Sequence, residues 1–160
     1  MTGTPFTPAV TAEYTITYVL DAPRDLVFAA WTDPARFAHW FGPHGYTTPM
    51  RGISMDLRPG GVWRALVVDR DGAEQLLDGV YREVDAPARL VFTTGDPGNT
   101  TGDLASVVTL TLTDVGGKTE MRFHQAGYNT DEAHARGSRA GWLEFFDRLA
   151  EHLARDPATG

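Results

Sequence analysis

The chain contains no cysteine, and Lys118 is its only lysine. The first absence removes disulfides, thiolate nucleophiles and cysteine-based zinc sites together. The second leaves arginine to carry nearly all the positive charge: Lys and Arg total 14 against 21 Asp and Glu, a formal net charge of −7. An acidic domain repels phosphate backbones unless basic residues cluster, and here the arginines are scattered among acids, so nucleic acid is not an expected partner. No stretch approaches the roughly 18 apolar residues of a membrane span, so no membrane association is expected either. Residues 1–12, "MTGTPFTPAVTA", have neither a basic start nor an apolar run and read as a flexible tail, not a signal peptide. A cytoplasmic location follows as the expectation. Catalytic signatures are missing too: there is no G-x-S-x-G, P-loop, H-E-x-x-H or Rossmann glycine fingerprint. The "PGG" at 59–61 reads as a hairpin turn and not a phosphate cradle, since no helix pattern follows it.

What is present is enough for one real core. With 160 residues, 42% of them hydrophobic, the chain fits a single domain over residues 13–155. "YTITYVL" at 14–20 alternates β-branched and aromatic residues and predicts a strand. "DAPRDLVFAAW" predicts a helix capped by Asp21, with Pro23 in its first turn and Leu26, Val27, Ala30 and Trp31 at helical spacing. Asp33-Pro34 restarts a second short helix, in which Phe37, Trp40 and Phe41 share one face. From about residue 50 the period becomes two. Six short apolar runs, separated by Gly, Pro and Asp clusters, predict an antiparallel meander. "VVTLTLT" is the clearest of them, with Val108, Leu110 and Leu112 on one face and Thr109, Thr111 and Thr113 on the other. Residues 130–154 predict a long final helix with an apolar stripe of Trp142, Phe145, Phe146, Leu149 and Leu153. Such a stripe needs a sheet face to cover it, which makes the class α+β. The glycines at 137 and 141 leave one side of that helix bare, for close packing or for a cavity.

No residue cluster assembles a catalytic set. His39 and His44 are separated by Gly42-Pro43, so no helix fixes their spacing, and neither a metal nor a cofactor is expected. His124 faces outward if Met121 and Phe123 face inward. Asp56, Asp78 and Glu83 sit within strands, where an inward carboxylate would be desolvated and its pKa raised. Strict alternation puts Asp78 on one face with Val80, Arg82 and Val84, either as a polar pair with Arg82 inside a cavity or as a surface ion pair. Arg64 is equally open, because both faces of "VWRALVV" carry apolar residues.

Five segments in order carry a family resemblance: "DAPRDLVFAAWTDPARFAHWFGP", "MDLRPGGVWR", "DGVYREVDAPARLVFT", "LTLTDVGGKTEMRFHQ" and "GWLEFFDRLAEHLA". Together they resemble the family named after the activator of heat-shock-protein-90 ATPase, within the START-like, birch-pollen-allergen-like (SRPBCC) superfamily. The resemblance implies a helix-grip fold: a curved antiparallel sheet wrapped around a long C-terminal helix, with two short helices after the first strand. It also implies a cavity for a small apolar or aromatic molecule between the sheet and the C-terminal helix. On that basis the cavity residues are Trp40, Phe41, Trp63, Arg64, Asp78, Tyr81, Phe92, Phe123, Gly141, Trp142 and Phe145, with Tyr128 nearby and "HGYTTP" after Pro43 at the mouth. Ligand binding without catalysis is the leading expectation. A polyketide cyclase-like or aromatase-like enzyme and a co-chaperone-like stimulator of an Hsp90 ATPase are the alternatives, and a homodimer stays open. The cavity volume and the orientation of Arg64, Asp78 and His124 discriminate between the first two.

Overall fold

The computed structural model describes residues 13–42, 44–94, 106–126 and 132–155; the side chains of 132–138 and 155 lie outside that description. Strand β1 (Glu13–Leu20) is followed by helices α1 (Arg24–Thr32) and α2 (Pro34–Phe37), then by a 3-10 turn at Met50–Gly52. Strands β2 (Ile53–Met55), β3 (Val62–Val68), β4 (Glu74–Asp85), β5 (Arg89–Thr94), β6 (Ser106–Val115) and β7 (Lys118–Ala126) come next, and α3 (Glu132–Arg155) ends the described chain. The strands form one seven-stranded sheet in the order β1-β7-β6-β5-β4-β3-β2. Every pairing is antiparallel. The six-strand meander is therefore present, and β1 closes it by pairing with the last strand. This is the expected helix-grip architecture.

Local chemistry accounts for the elements. Asp33 caps α2 by accepting from the Ala35 N–H at 3.1 Å, and Pro34 occupies a first-turn position that needs no donor. The expected cap of α1 by Asp21 does not form. Pro23 holds the N-cap position in an extended conformation with no side-chain cap, because its fixed φ already directs the chain into the helix. In the sheet, Ile16, Leu20, Val108, Leu110, Leu112, Met121 and Phe123 turn inward and are buried. The residues of α3 at 142, 145, 146, 149 and 153 are buried against them, so the apolar stripe covers the sheet as its pattern requires.

Two features tie the helices to the sheet. Arg148 of α3 donates from Nη1 to the Gly42 carbonyl at 2.9 Å and from Nη2 to the His39 carbonyl at 3.3 Å. Burial lowers its pKa, with the charge of Glu151 opposing that shift. The hydroxyl of buried Thr119 on β7 donates to the Ala22 carbonyl at 2.7 Å and fixes the approach to α1. Between Tyr81 and Glu83 the β4–β5 register shifts by a bulge. Val84 consequently packs against the core, so it does not share a face with Asp78 as strict alternation predicts.

Candidate functional site

A cavity lies between α1–α2 and the concave side of β2–β5. Its wall is Trp31, Phe37, Phe41, Met55, Trp63, Tyr81, Leu90 and Phe92. The cavity volume is about 10 Å3. That is about the least volume that holds one ordered water. None of the eight wall residues carries a charge at neutral pH, and six are aromatic.

Three tryptophan indoles meet in and behind this wall. The Trp40 Nε1–H donates to the Ala30 carbonyl at 2.9 Å, and the Trp63 Nε1–H donates to the Thr93 carbonyl at 3.0 Å. Gly79 makes the second bond achievable. A Cβ there would stand 1.7 Å from the Thr93 oxygen and 2.6 Å from Trp63 Nε1, so only glycine lets β4 run between them. Trp31 differs. Its residue is 2% exposed, and its Nε1 is shut off from solvent with no hydrogen-bond partner among the described residues. Its ring lies 6.2 Å from Trp142 and 6.3 Å from Phe123, near-parallel to both, and links the cavity wall to the core under α3.

Tyr81, 3% exposed, is the one titratable group in the wall. Burial pushes its pKa far above the usual phenol value, and the nearby charge of Asp56 adds to the shift, so the hydroxyl stays protonated. It forms no hydrogen bond among the described residues.

The sequence-predicted residues divide accordingly. Phe41, Trp63, Tyr81 and Phe92 line the cavity. Trp40 is fully buried behind the wall, stacked edge-on to Trp31 at 4.8 Å. Phe123, Trp142 and Phe145 belong to the packed core beneath α3, and no described side chain of that helix lines this wall. This cavity sits under the short helices, and the described apolar stripe of α3 at 142–153 packs against the sheet beside it. Gly141 has no described atom within 4 Å of where a Cβ would stand, so it neither packs closely nor lines the wall.

Arg64 and Asp78 are corrections. Arg64 is exposed, and it pairs in register with Asp78 on the outer face of the sheet, since Trp63, Ala65 and Val67 take the inner one. Asp78 is half-buried there, with Oδ1 enclosed and unpartnered among the described residues, and Arg82 is exposed. No polar pair enters the cavity. His124 also faces outward, with Nε2 3.7 Å from a Glu13 carboxylate oxygen. His152 of α3 is half-buried and stacks on His39 at 5.3 Å. Tyr128 and the side chain of His134 lie outside the described residues. Trp31, Phe37, Met55 and Leu90 are the wall residues that pattern reading left off the cavity set. Leu90 was accessible from its spacing of two to Phe92, and Met55 from its inward place beside Trp63.

The comparisons with known proteins agree with this fold. The family model described as Activator of Hsp90 ATPase homolog 1-like protein matches residues 21–154. The chain belongs to this family. Among solved structures it is similar to protein CV1439 from Chromobacterium violaceum, with a TM-score of 0.78 and 23% identity over 90% of this chain and 98% of that one. It is also similar to an AHSA1-like protein from Aeromonas hydrophila, with a TM-score of 0.75 and 23% identity over 89% and 92% of the two chains. CalU16 from Micromonospora echinospora gives a TM-score of 0.64 and 26% identity over 89% of this chain and 76% of its own. No curated protein matches. Among the described residues, no helix is long and apolar enough to cross a membrane, and no group of three or more His, Asp or Glu could hold a metal ion.

Proposed function

We propose that this member of the Hsp90-ATPase-activator-like family binds a small, uncharged hydrophobic molecule between α1–α2 and β2–β5. The carrying observation is the wall itself, eight side chains without a charge and six of them aromatic, which is the usual make-up of a small-molecule site. The space found without ligand suits one water, so binding requires the wall to open. Met55 is the side chain suited to do so. It is half-buried, unbranched, and carried on the three-residue edge strand β2. An enzymatic role draws no support from this wall. Acid–base catalysis favours a pKa near the working pH, and Tyr81 is held far above it.

A thermal-shift panel of neutral bicyclic hydrocarbons, lipids and charged aromatics tests the reading. At about 100 times Kd a bound ligand adds about 2.7 kcal/mol, a rise in Tm of about 5–10 °C for a domain of this size. Only the uncharged compounds are expected to produce it, together with a shift of the Met55 methyl resonance. A panel that moves neither Tm nor that resonance would sink the proposal.

A further inference from the structure

We infer that the outer face of β3 and β4 is the interface of a homodimer, with a two-fold axis running along the strands between Arg64 and Asp78. This face lies on the opposite side of the sheet from the cavity, so the inference goes beyond the reading above and does not depend on it. The β3–β4 register sets its layout. Val62 stands opposite Val80, Arg64 opposite Asp78 and Leu66 opposite Leu76, while Trp63, Ala65 and Val67 take the inner face. Two apolar rows therefore flank one charged row. Val62 and Leu76 are 42% and 39% exposed, two of the six large apolar side chains exposed among the described residues. Leu66 and Val80 beside them are half-buried. Gly52 keeps the flank of this patch flat, since a Cβ there would stand 2.5 Å from the Leu66 Cβ.

The charges decide what covers the patch. Arg64 and Asp78 are cross-strand neighbours of opposite sign, yet no ion pair joins them, and neither has another partner among the described residues. Asp78 is half-buried, and an unpaired carboxylate leaving water is costly, so it gains from a cation. Side chains of adjacent strands stand roughly perpendicular to the sheet, so both charges are offered outward. A two-fold axis in the plane of the interface and parallel to the strands sets each Arg64 over the partner's Asp78. The same axis sets Val62 over the partner's Val80 and Leu66 over the partner's Leu76. Strands stay aligned in this arrangement, as in sheets packed face to face about 10 Å apart. An in-plane axis across the strands would instead set Arg64 over Arg64 and Asp78 over Asp78, which like-charge repulsion disfavours. A foreign partner of one charge sign would attract one of these residues and repel the other. A second copy satisfies both, which is the self-complementarity an isologous interface requires.

Sedimentation velocity over a concentration series reaching the millimolar range tests this. Wild type is expected to move toward twice the 17.5 kDa mass of one chain as concentration rises. Arg64→Asp makes the charged row wholly acidic, and Asp78→Arg makes it wholly basic. Each variant alone faces its own charge across the axis, so its dimer should weaken about tenfold or more. Mixed in equal amounts, the two faces become complementary, and the dimer should return as a heterodimer. A merely structural role for either residue would not produce that return. Far-UV circular dichroism confirms that the variants are folded. If Asp78→Arg does not fold, Val62→Glu supplies the readout, because it sets a carboxylate over the partner's Val80 and should abolish the dimer. Wild type that stays monomeric throughout overturns the inference and leaves the face to solvent or another partner. Dimers retained in Arg64→Asp or in Val62→Glu overturn it as well, since the copies would then meet elsewhere. So does a mixture of folded Arg64→Asp and Asp78→Arg that stays monomeric.

Discussion

Trp31 and Trp63 differ in one respect that mutation can isolate. Trp31→Phe and Trp63→Phe remove the same atoms from two sites that are about equally buried, at 2% and 3% exposure. The lost volume is therefore similar. Trp63→Phe also breaks a hydrogen bond to the Thr93 carbonyl, whereas Trp31→Phe removes a donor that has no partner among the described residues. Urea denaturation should show Trp63→Phe to be the more destabilising by about 1–3 kcal/mol; equal losses would mean that the Trp31 N–H has found a partner in solution. Tyr81 gives a second residue-scale expectation. Its folded pKa is raised, so its contribution is fully present below the unfolded phenol value of about 10 and falls as pH rises beyond it. Native protein holds the proton there while unfolded chain releases it. The stability of wild type relative to Tyr81→Phe should thus drop by about 1.4 kcal/mol per pH unit above about pH 10. Urea midpoints for both proteins from pH 8 to 11 check this, and other titrating groups cancel in the difference. At this scale the sequence was least legible. Both faces of residues 62–68 carry apolar side chains, so nothing in the pattern turns Arg64 outward. The bulge after Tyr81 breaks the alternation on which the faces of Asp78 and Val84 were read.

Secondary structure read far better, because turns and caps are chemistry that acts within a few residues. Each strand ends at a Gly, Pro or Asp cluster, and Asp33-Pro34 marks the start of α2 as it stands. Glycines inside elements are harder, since their meaning depends on what approaches them. Gly79 and Gly141 look alike in sequence and are opposites in space. Gly79→Ala would drive a Cβ into the Thr93 backbone oxygen and the Trp63 indole, forcing β4 away from β5. We expect a loss of at least about 3 kcal/mol, at the top of the usual range for overpacking. Gly141→Ala meets open space on a helix, where alanine is favoured over glycine by about 1 kcal/mol, so it should stabilise the protein by about that amount. Thermal or urea unfolding of the two variants checks both signs. Stabilisation by Gly79→Ala would contradict the close approach of β4 and β5.

Across the whole molecule the family resemblance anticipated a curved antiparallel sheet, a long final helix and two short helices after the first strand, and the structure adds that β1 closes the sheet by pairing with β7. Aromatic packing covers the inner face of that sheet, with the residues at 142, 145 and 146 buried under α3 and Phe37 buried under α2. The same packing joins the halves. Trp63 meets Phe41 at 6.1 Å, Phe41 meets Trp142 at 6.1 Å, Trp142 meets Trp31 at 6.2 Å and Trp31 meets Trp40 at 4.8 Å. All four tryptophans of the chain thus belong to one aromatic network drawn from α1, the segment after α2, β3 and α3. The sheet is closed by pairs such as Tyr14 with Gln125, 111 positions apart, so neither end of the chain can complete it alone. Both facts predict a single cooperative transition. Tryptophan fluorescence reports the network and far-UV circular dichroism reports the sheet and helices, and their urea midpoints should coincide. If fluorescence changes at lower urea than the dichroism, the short helices leave the sheet before it unfolds. The cavity cover would then be a separate unit, loosely held over a stable grip of sheet and α3.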